Sequence, residues 1–102
     1  DWVDLLGCTL PPGSVTGAPK PRAMEIIDEL ETTPRGAYCG TVFYLGLDGR
    51  MDSSVIIRSF VAHAGQLRIG TGGGITILSD PHREYAEMQL KLAPFAAFVE
   101  GA

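Results

Sequence analysis

Three observations predict an α+β fold. An apolar stripe at helical spacing follows residue 19 and a helix start stands at Asp80-Pro81, β-rich runs with turn signals lie between these stretches, and no strand–helix–strand alternation is present. The predicted order is a loop, a helix, a three-stranded antiparallel meander and a second helix.

Residues 10–18, LPPGSVTGA, combine Pro, Gly and the hydroxyls of Ser14 and Thr16, and read as a turn-rich loop leading into the first helix. From Pro19 to about Leu30, Ala23, Met24, Ile26, Ile27 and Leu30 form an apolar stripe, with Lys20, Arg22, Glu25, Asp28 and Glu29 around it. Ser14 or Thr16 is the candidate N-cap. Pro34 and Gly36 end the pattern. Strands are expected near 38–46, 52–62 and 66–78, reversed at the Asp48-Gly49 pair and at HAGQ, 63–66. Asp80 followed by Pro81 is an N-cap and first helical residue, so the last helix runs from 81 to the high 90s, with Pro94 inside it.

The chain has 102 residues, enough for one small domain that buries about two thirds of its unfolded surface. A net charge of −4 argues against a general binder of nucleic acid or anionic membrane. No apolar run approaches the roughly 18 residues of a membrane span. Cys8 and Cys39 have no metal-site spacing and read as reduced thiols, which makes the cytoplasm the expected compartment. The start, DWVDLLG, has no initiator Met and enters apolar sequence at once, the pattern expected of a truncated chain.

The chemistry concentrates in GGGITILSDPHREYAEMQLK, residues 72–91. Glu84 and Glu87 stand one turn apart, a like-charge spacing that costs about 0.2–0.5 kcal/mol on an exposed helix. Lys91, four residues after Glu87, offsets that cost on a merely solvated face. The sharper alternative is a hard cation: Mg²⁺ takes one or two carboxylates, keeps several waters and completes its shell with an anionic substrate. Gly72, Gly73 and Gly74 sit where a β-bulge, or the close approach of a ligand carboxylate to their N–H groups, would need bare backbone. Arg58, in an otherwise apolar run, is either a bidentate carboxylate binder or the partner of Asp52 or Glu87 in a structural ion pair. His63 and His82 are isolated, and no nucleophile–base pairing is recognisable.

Three stretches, GSVTGAPKPRAMEIIDELE, RGAYCGTVFYLGLDGRMDSSVIIRS and GTGGGITILSDPHREYAEMQLK, occur in an order that closely resembles the C-terminal region of the chorismate-utilising enzymes. That family includes anthranilate, aminodeoxychorismate, isochorismate and salicylate synthases. Within it, YCG after PRG and the GRMDSSVIIRS run look most like component I of aminodeoxychorismate synthase. Anthranilate synthase component I is the runner-up.

The resemblance implies an incomplete chorismate-binding domain over residues 1–102. It implies Glu87 and Glu84 as Mg²⁺ ligands, with Lys91 near the same substrate carboxylate. Gly72, Gly73 and Gly74 would bind the ring carboxylate of chorismate, Arg58 helped by Tyr38 the enolpyruvyl carboxylate, and Ser14 would line the ring. The implied reaction takes chorismate and ammonia to 4-amino-4-deoxychorismate for 4-aminobenzoate and folate synthesis, with ammonia from a glutamine amidotransferase subunit or domain. No catalytic acid, base or nucleophile is assigned within these residues, because in the family those come from upstream sequence. The chain alone is therefore expected to be inactive and to expose apolar surface and strand edges. A non-catalytic, self-associating module is the alternative from a different class.

Overall fold

The computed structural model describes residues 1–102 and divides into two compact units, Asp1–Ser59 and Phe60–Ala102. The architecture is α+β, with three helices, one single helical turn and two two-stranded antiparallel sheets.

In the first unit, α1 (Trp2–Thr9) begins in a capping box: Asp1 accepts from the Asp4 N–H, and the Asp4 side chain returns to the Asp1 amine. The turn α2 (Gly13–Thr16) leads to α3 (Lys20–Leu30), the first predicted helix at almost the predicted bounds. Neither Ser14 nor Thr16 caps α3. Both lie inside α2, where Thr16 Oγ1 donates to the Pro12 carbonyl at 2.9 Å, and the N-cap of α3 is Pro19 with no side-chain cap bond. Lys20 Nζ donates to the Cys8 and Pro11 carbonyls, both at 3.3 Å, which supplies donors to backbone near the C-terminal end of α1. Arg35 grips the Glu31 carboxylate through Nε and Nη2 and donates from Nη1 to the Val15 carbonyl at 2.8 Å, so one guanidinium joins the end of α3 to α2. That grip holds the Glu31 carboxyl below its ordinary range and raises Arg35.

Strands β1 (Thr41–Leu45) and β2 (Met51–Val55) form a hairpin in the register Thr41↔Val55 to Leu45↔Met51. Gly49 in its loop has φ +82, a conformation natural to glycine. Pairing continues past the strands as a bulge: the Cys39 N–H donates to the Ile56 carbonyl and the Ile56 N–H to the Gly40 carbonyl, each at 2.9 Å. Two residues thus face one, and the first, Cys39, has φ +66, where glycine is the usual occupant. Cys39 is also the one buried apolar side chain.

The second unit holds the hairpin β3 (Phe60–His63) and β4 (Gln66–Ile69), then α4 (Pro81–Glu100). Ala64 and Gly65 form a two-residue turn with φ +50 and +74, the positive pair that a type I′ hairpin requires. Asp80 caps α4 by accepting from the Arg83 N–H, as predicted, and the helix runs on through Pro94.

The predicted three-stranded meander is corrected to two separate hairpins. The expected strand 52–62 ends at Val55 and extended pairing resumes only at Phe60, with Arg58 between them at φ +49, off the extended path. The expected strand 66–78 stops at Ile69, and the glycines beyond it take no ladder partner. The segment α1 was not foreseen.

Neither hairpin has a third strand, and Val42, Phe43, Tyr44 and Leu45 of β1 are all exposed, so apolar side chains reach solvent on both of its faces.

Candidate functional site

Within the second unit, α4 carries a partly sheltered stripe of Glu84, Met88, Lys91, Leu92 and Phe95, spaced by four, three, one and three residues along a single face. Its C-terminal part packs on β3, where Phe60 meets the Phe95 ring edge-on at 5.3 Å and Phe98 at 6.0 Å. Its N-terminal part receives the segment Gly70–Gly74. Thr71 Oγ1 donates to the Met88 carbonyl at 3.2 Å, Lys91 Nζ donates to the Gly72 carbonyl at 3.3 Å, and a Cβ on Gly73 would lie 3.2 Å from Glu84 Oε2.

The glycine segment therefore lies directly against the helix face that bears the acids. The N–H groups of Gly72, Gly73 and Gly74 donate to no backbone or side-chain acceptor, while Gly73 and Gly74 are exposed. Three free donors on bare backbone suit an incoming carboxylate.

Lys91 Nζ stands 2.8 Å from Glu87 Oε1, with the lysine more sheltered than the carboxylate. The ammonium, through its hydrogen bond and its charge, holds the Glu87 carboxyl below its ordinary range, so it is ionised at neutral pH. Oε1 is engaged and Oε2 is open. The two carboxylates, hard oxygen donors, fit a Mg²⁺ ion that draws the rest of its shell from water and substrate. They do not make an all-protein cage, since no group of three or more His, Cys, Asp or Glu gathers anywhere in the chain.

The remaining predicted residues belong to the first unit. Ser14 is exposed on α2, Tyr38 is half-buried beside Cys39, and Arg58 is exposed between β2 and β3 in sequence. Burial pushes the Tyr38 phenol above its ordinary range. No hydrogen bond or ion pair joins Ser14, Tyr38 and Arg58 to one another, and Asp52 accepts from the Tyr44 hydroxyl at 2.9 Å rather than pairing with Arg58. Arg58 thus has no ion-pair partner within its own unit. A shallow depression lined by Ala62–Leu67 lies at the β3–β4 turn and contains none of the predicted site residues.

Thr71, Lys20 and Arg35 are the residues that sequence reading missed. Thr71 had a signal: it is the one side chain in the five-residue run GTGGG.

The model of the chorismate binding enzymes matches residues 1–97, nearly the whole chain. The chain belongs to the chorismate-binding enzyme family. Among its relatives, a probable chloroplastic aminodeoxychorismate synthase of Oryza sativa is 51% identical over 89 residues, 87% of this chain and 10% of the relative. The aminodeoxychorismate synthase component 1 of Salmonella typhimurium is 54% identical over 84 residues, 82% of this chain and 18% of the relative. The anthranilate synthase component 1 of Methanothermobacter thermautotrophicus is 52% identical over 91 residues, 89% of this chain and 20% of the relative. This member of the chorismate-binding family thus spans about a tenth to a fifth of the length of the relatives it matches. Relatives named component 1 belong to enzymes with more than one component. No helix of the chain is long and apolar enough to cross a membrane.

Proposed function

We propose that this chain supplies the carboxylate- and metal-binding half of the active site of an aminodeoxychorismate synthase component I, as part of one chorismate-binding domain acting in the cytoplasm. The observation that carries the proposal is the seating of Gly72–Gly74, with their free N–H groups, against the α4 face of Glu84, Glu87 and Lys91.

In this reading the three glycine N–H groups donate to the ring carboxylate of chorismate, and the Lys91 ammonium adds charge beside it. Glu87, through its open oxygen, and Glu84 would hold Mg²⁺. That ion would neutralise substrate carboxylate charge and stabilise the charge that develops as the ring hydroxyl departs. By family resemblance alone, Arg58 with Tyr38 would take the enolpyruvyl carboxylate and Ser14 would line the ring. Ammonia, delivered by a glutamine amidotransferase partner, replaces the hydroxyl in an allylic substitution. Chorismate and ammonia then give 4-amino-4-deoxychorismate and water, with the enolpyruvyl group retained. The acid–base residues for this step would come from sequence beyond these 102 residues, so the chain alone is inactive.

The test is a thermal melt with Mg²⁺, with chorismate and with both. At a hundred times the dissociation constant, a ligand bound only by the folded state adds about 2.7 kcal/mol. The expected result is a melt raised most by the two together, with the increment lost in Glu87→Ala. A cooperative melt indifferent to both ligands would refute the half-site.

The 52% identity to the Methanothermobacter thermautotrophicus relative supports a second reading, anthranilate synthase component I. A full-length protein carrying this sequence separates the two by product: an ortho-amine with pyruvate released, or the amine at the hydroxyl-bearing carbon with pyruvate retained. The exposed apolar side chains of β1 support a third, a self-associating module without catalysis, which sedimentation of the chain would reveal as a mass above the monomer.

A further inference from the structure

We propose that Thr71 is a positioning residue that sets the distance between the glycine N–H groups and the α4 carboxylates. The inference rests on the half-site reading above and goes beyond it by naming what holds the two subsites in register.

A run of glycines has more backbone freedom than any other sequence, so its path must be fixed by something outside its own dihedral preferences. In Gly70–Gly74 the only side chain is Thr71, and its hydroxyl donates to the Met88 carbonyl on α4 at 3.2 Å. Met88 lies between Glu84 and Lys91 on the same stripe, and immediately after Glu87 in sequence. The adjacent Gly72 carbonyl takes the Lys91 ammonium at 3.3 Å, and Gly73 lies over Glu84. Of these ties, the lysine also serves Glu87, at 2.8 Å, and would turn toward an arriving carboxylate. The hydroxyl has no such second duty. It keeps the glycine backbone seated on the helix when the lysine is drawn away.

A cation held by Glu84 and Glu87 and a carboxylate held by the glycine N–H groups help one another only at the right separation. Their mutual assistance is a coupling free energy, and it reports that separation directly. General stability does not.

The experiment measures the chorismate affinity of the 102-residue chain by calorimetry with and without Mg²⁺, for the wild type, Thr71→Val and Thr71→Ser, with a thermal melt of each. Mg²⁺ is expected to strengthen chorismate binding by about fivefold or more in the wild type, the lower end of ordinary coupling. The ratio should fall toward one in Thr71→Val, which keeps the shape and loses the donor, and should recover in Thr71→Ser. A Val variant that keeps the wild-type ratio overturns the proposal and leaves the half-site intact. A Val variant that no longer melts cooperatively also overturns it, because the hydroxyl then holds the fold and not the spacing. A wild-type chain whose chorismate affinity ignores Mg²⁺ removes the half-site reading itself, and the role of Thr71 with it.

Discussion

Gly73→Ala separates what a glycine does for the fold from what it does for a ligand. The φ of Gly73 lies outside the left-handed region, so an alanine fits the backbone there without strain. Replacing glycine by alanine at a compatible position stabilises by about 0.4–1 kcal/mol, chiefly by narrowing the unfolded ensemble. Against this stands one contact: the new Cβ would sit 3.2 Å from Glu84 Oε2, the far end of a flexible side chain that yields by a few tenths of an ångström. The net effect on the ligand-free chain is a melting temperature unchanged or higher by a few degrees, since about 1 kcal/mol is worth about 4–8 °C in a domain of this size. The methyl group nevertheless adds bulk to the bare backbone and displaces Glu84, a proposed metal ligand. Loss of one charge-assisted hydrogen bond is worth about 1.5–3 kcal/mol, which weakens chorismate binding about 10- to 150-fold. The assay pairs a circular dichroism melt with calorimetric titration in saturating Mg²⁺. Gly7→Ala serves as the control, because a Cβ there meets nothing within 4 Å and Gly7 is none of the proposed site residues; it should stabilise without touching affinity. A Gly73→Ala chain that melts several degrees lower, or that binds chorismate as tightly as the wild type, would refute the account of why the glycine is there.

Two further outcomes follow from the backbone and from charge. Ala64→Asn should stabilise the β3–β4 hairpin by about 0.5–1 kcal/mol, and Ala64→Val should destabilise it, because an L-residue in the left-handed region costs about 1–2 kcal/mol and Asn tolerates it best; denaturant midpoints decide this. Glu31→Gln should lower stability at pH 7, and the gap to the wild type should close as pH falls below the ordinary carboxylate value of 4.5. The sign follows from the Arg35 grip: the folded carboxyl binds its proton less readily than the unfolded one, so its contribution is present above that range and lost on acidification. Urea midpoints at pH 7 and pH 3 that differ by the same amount would contradict it.

The helices were legible because their signals are local. Asp80-Pro81 announces the start of α4 within two residues, and Ala23–Ile27 places a stripe on α3 without reference to anything distant. The grouping of Glu84, Glu87 and Lys91 follows from helical spacing alone, and their meeting with Gly72–Gly74 was anticipated through family resemblance. The strands were less legible. Nothing in SSVIIRSF declares that Arg58 turns left-handed, and the apolar run on either side of it reads as one strand until pairing partners are known. Positive φ at Cys39 and Ala64 escaped for the same reason, since neither residue type advertises it. Thr71 stands out in GTGGG as its one side chain, but the hydroxyl's partner, a main-chain carbonyl on α4, leaves no mark in sequence spacing.

All the polar ties of the half-site fall between Thr71 and Lys91, and the widest, from Gly72 to Lys91, spans 19 residues of chain. Closing so short a loop is entropically inexpensive, and the cost rises only slowly with length. The geometry thus waits on one local closure and on a helix with its own cap, not on pairing between distant strands. Contacts of low sequence separation form fast. The acids and the glycines should therefore meet early as the chain folds, as one cooperative segment that can open and reclose without unfolding of the first unit.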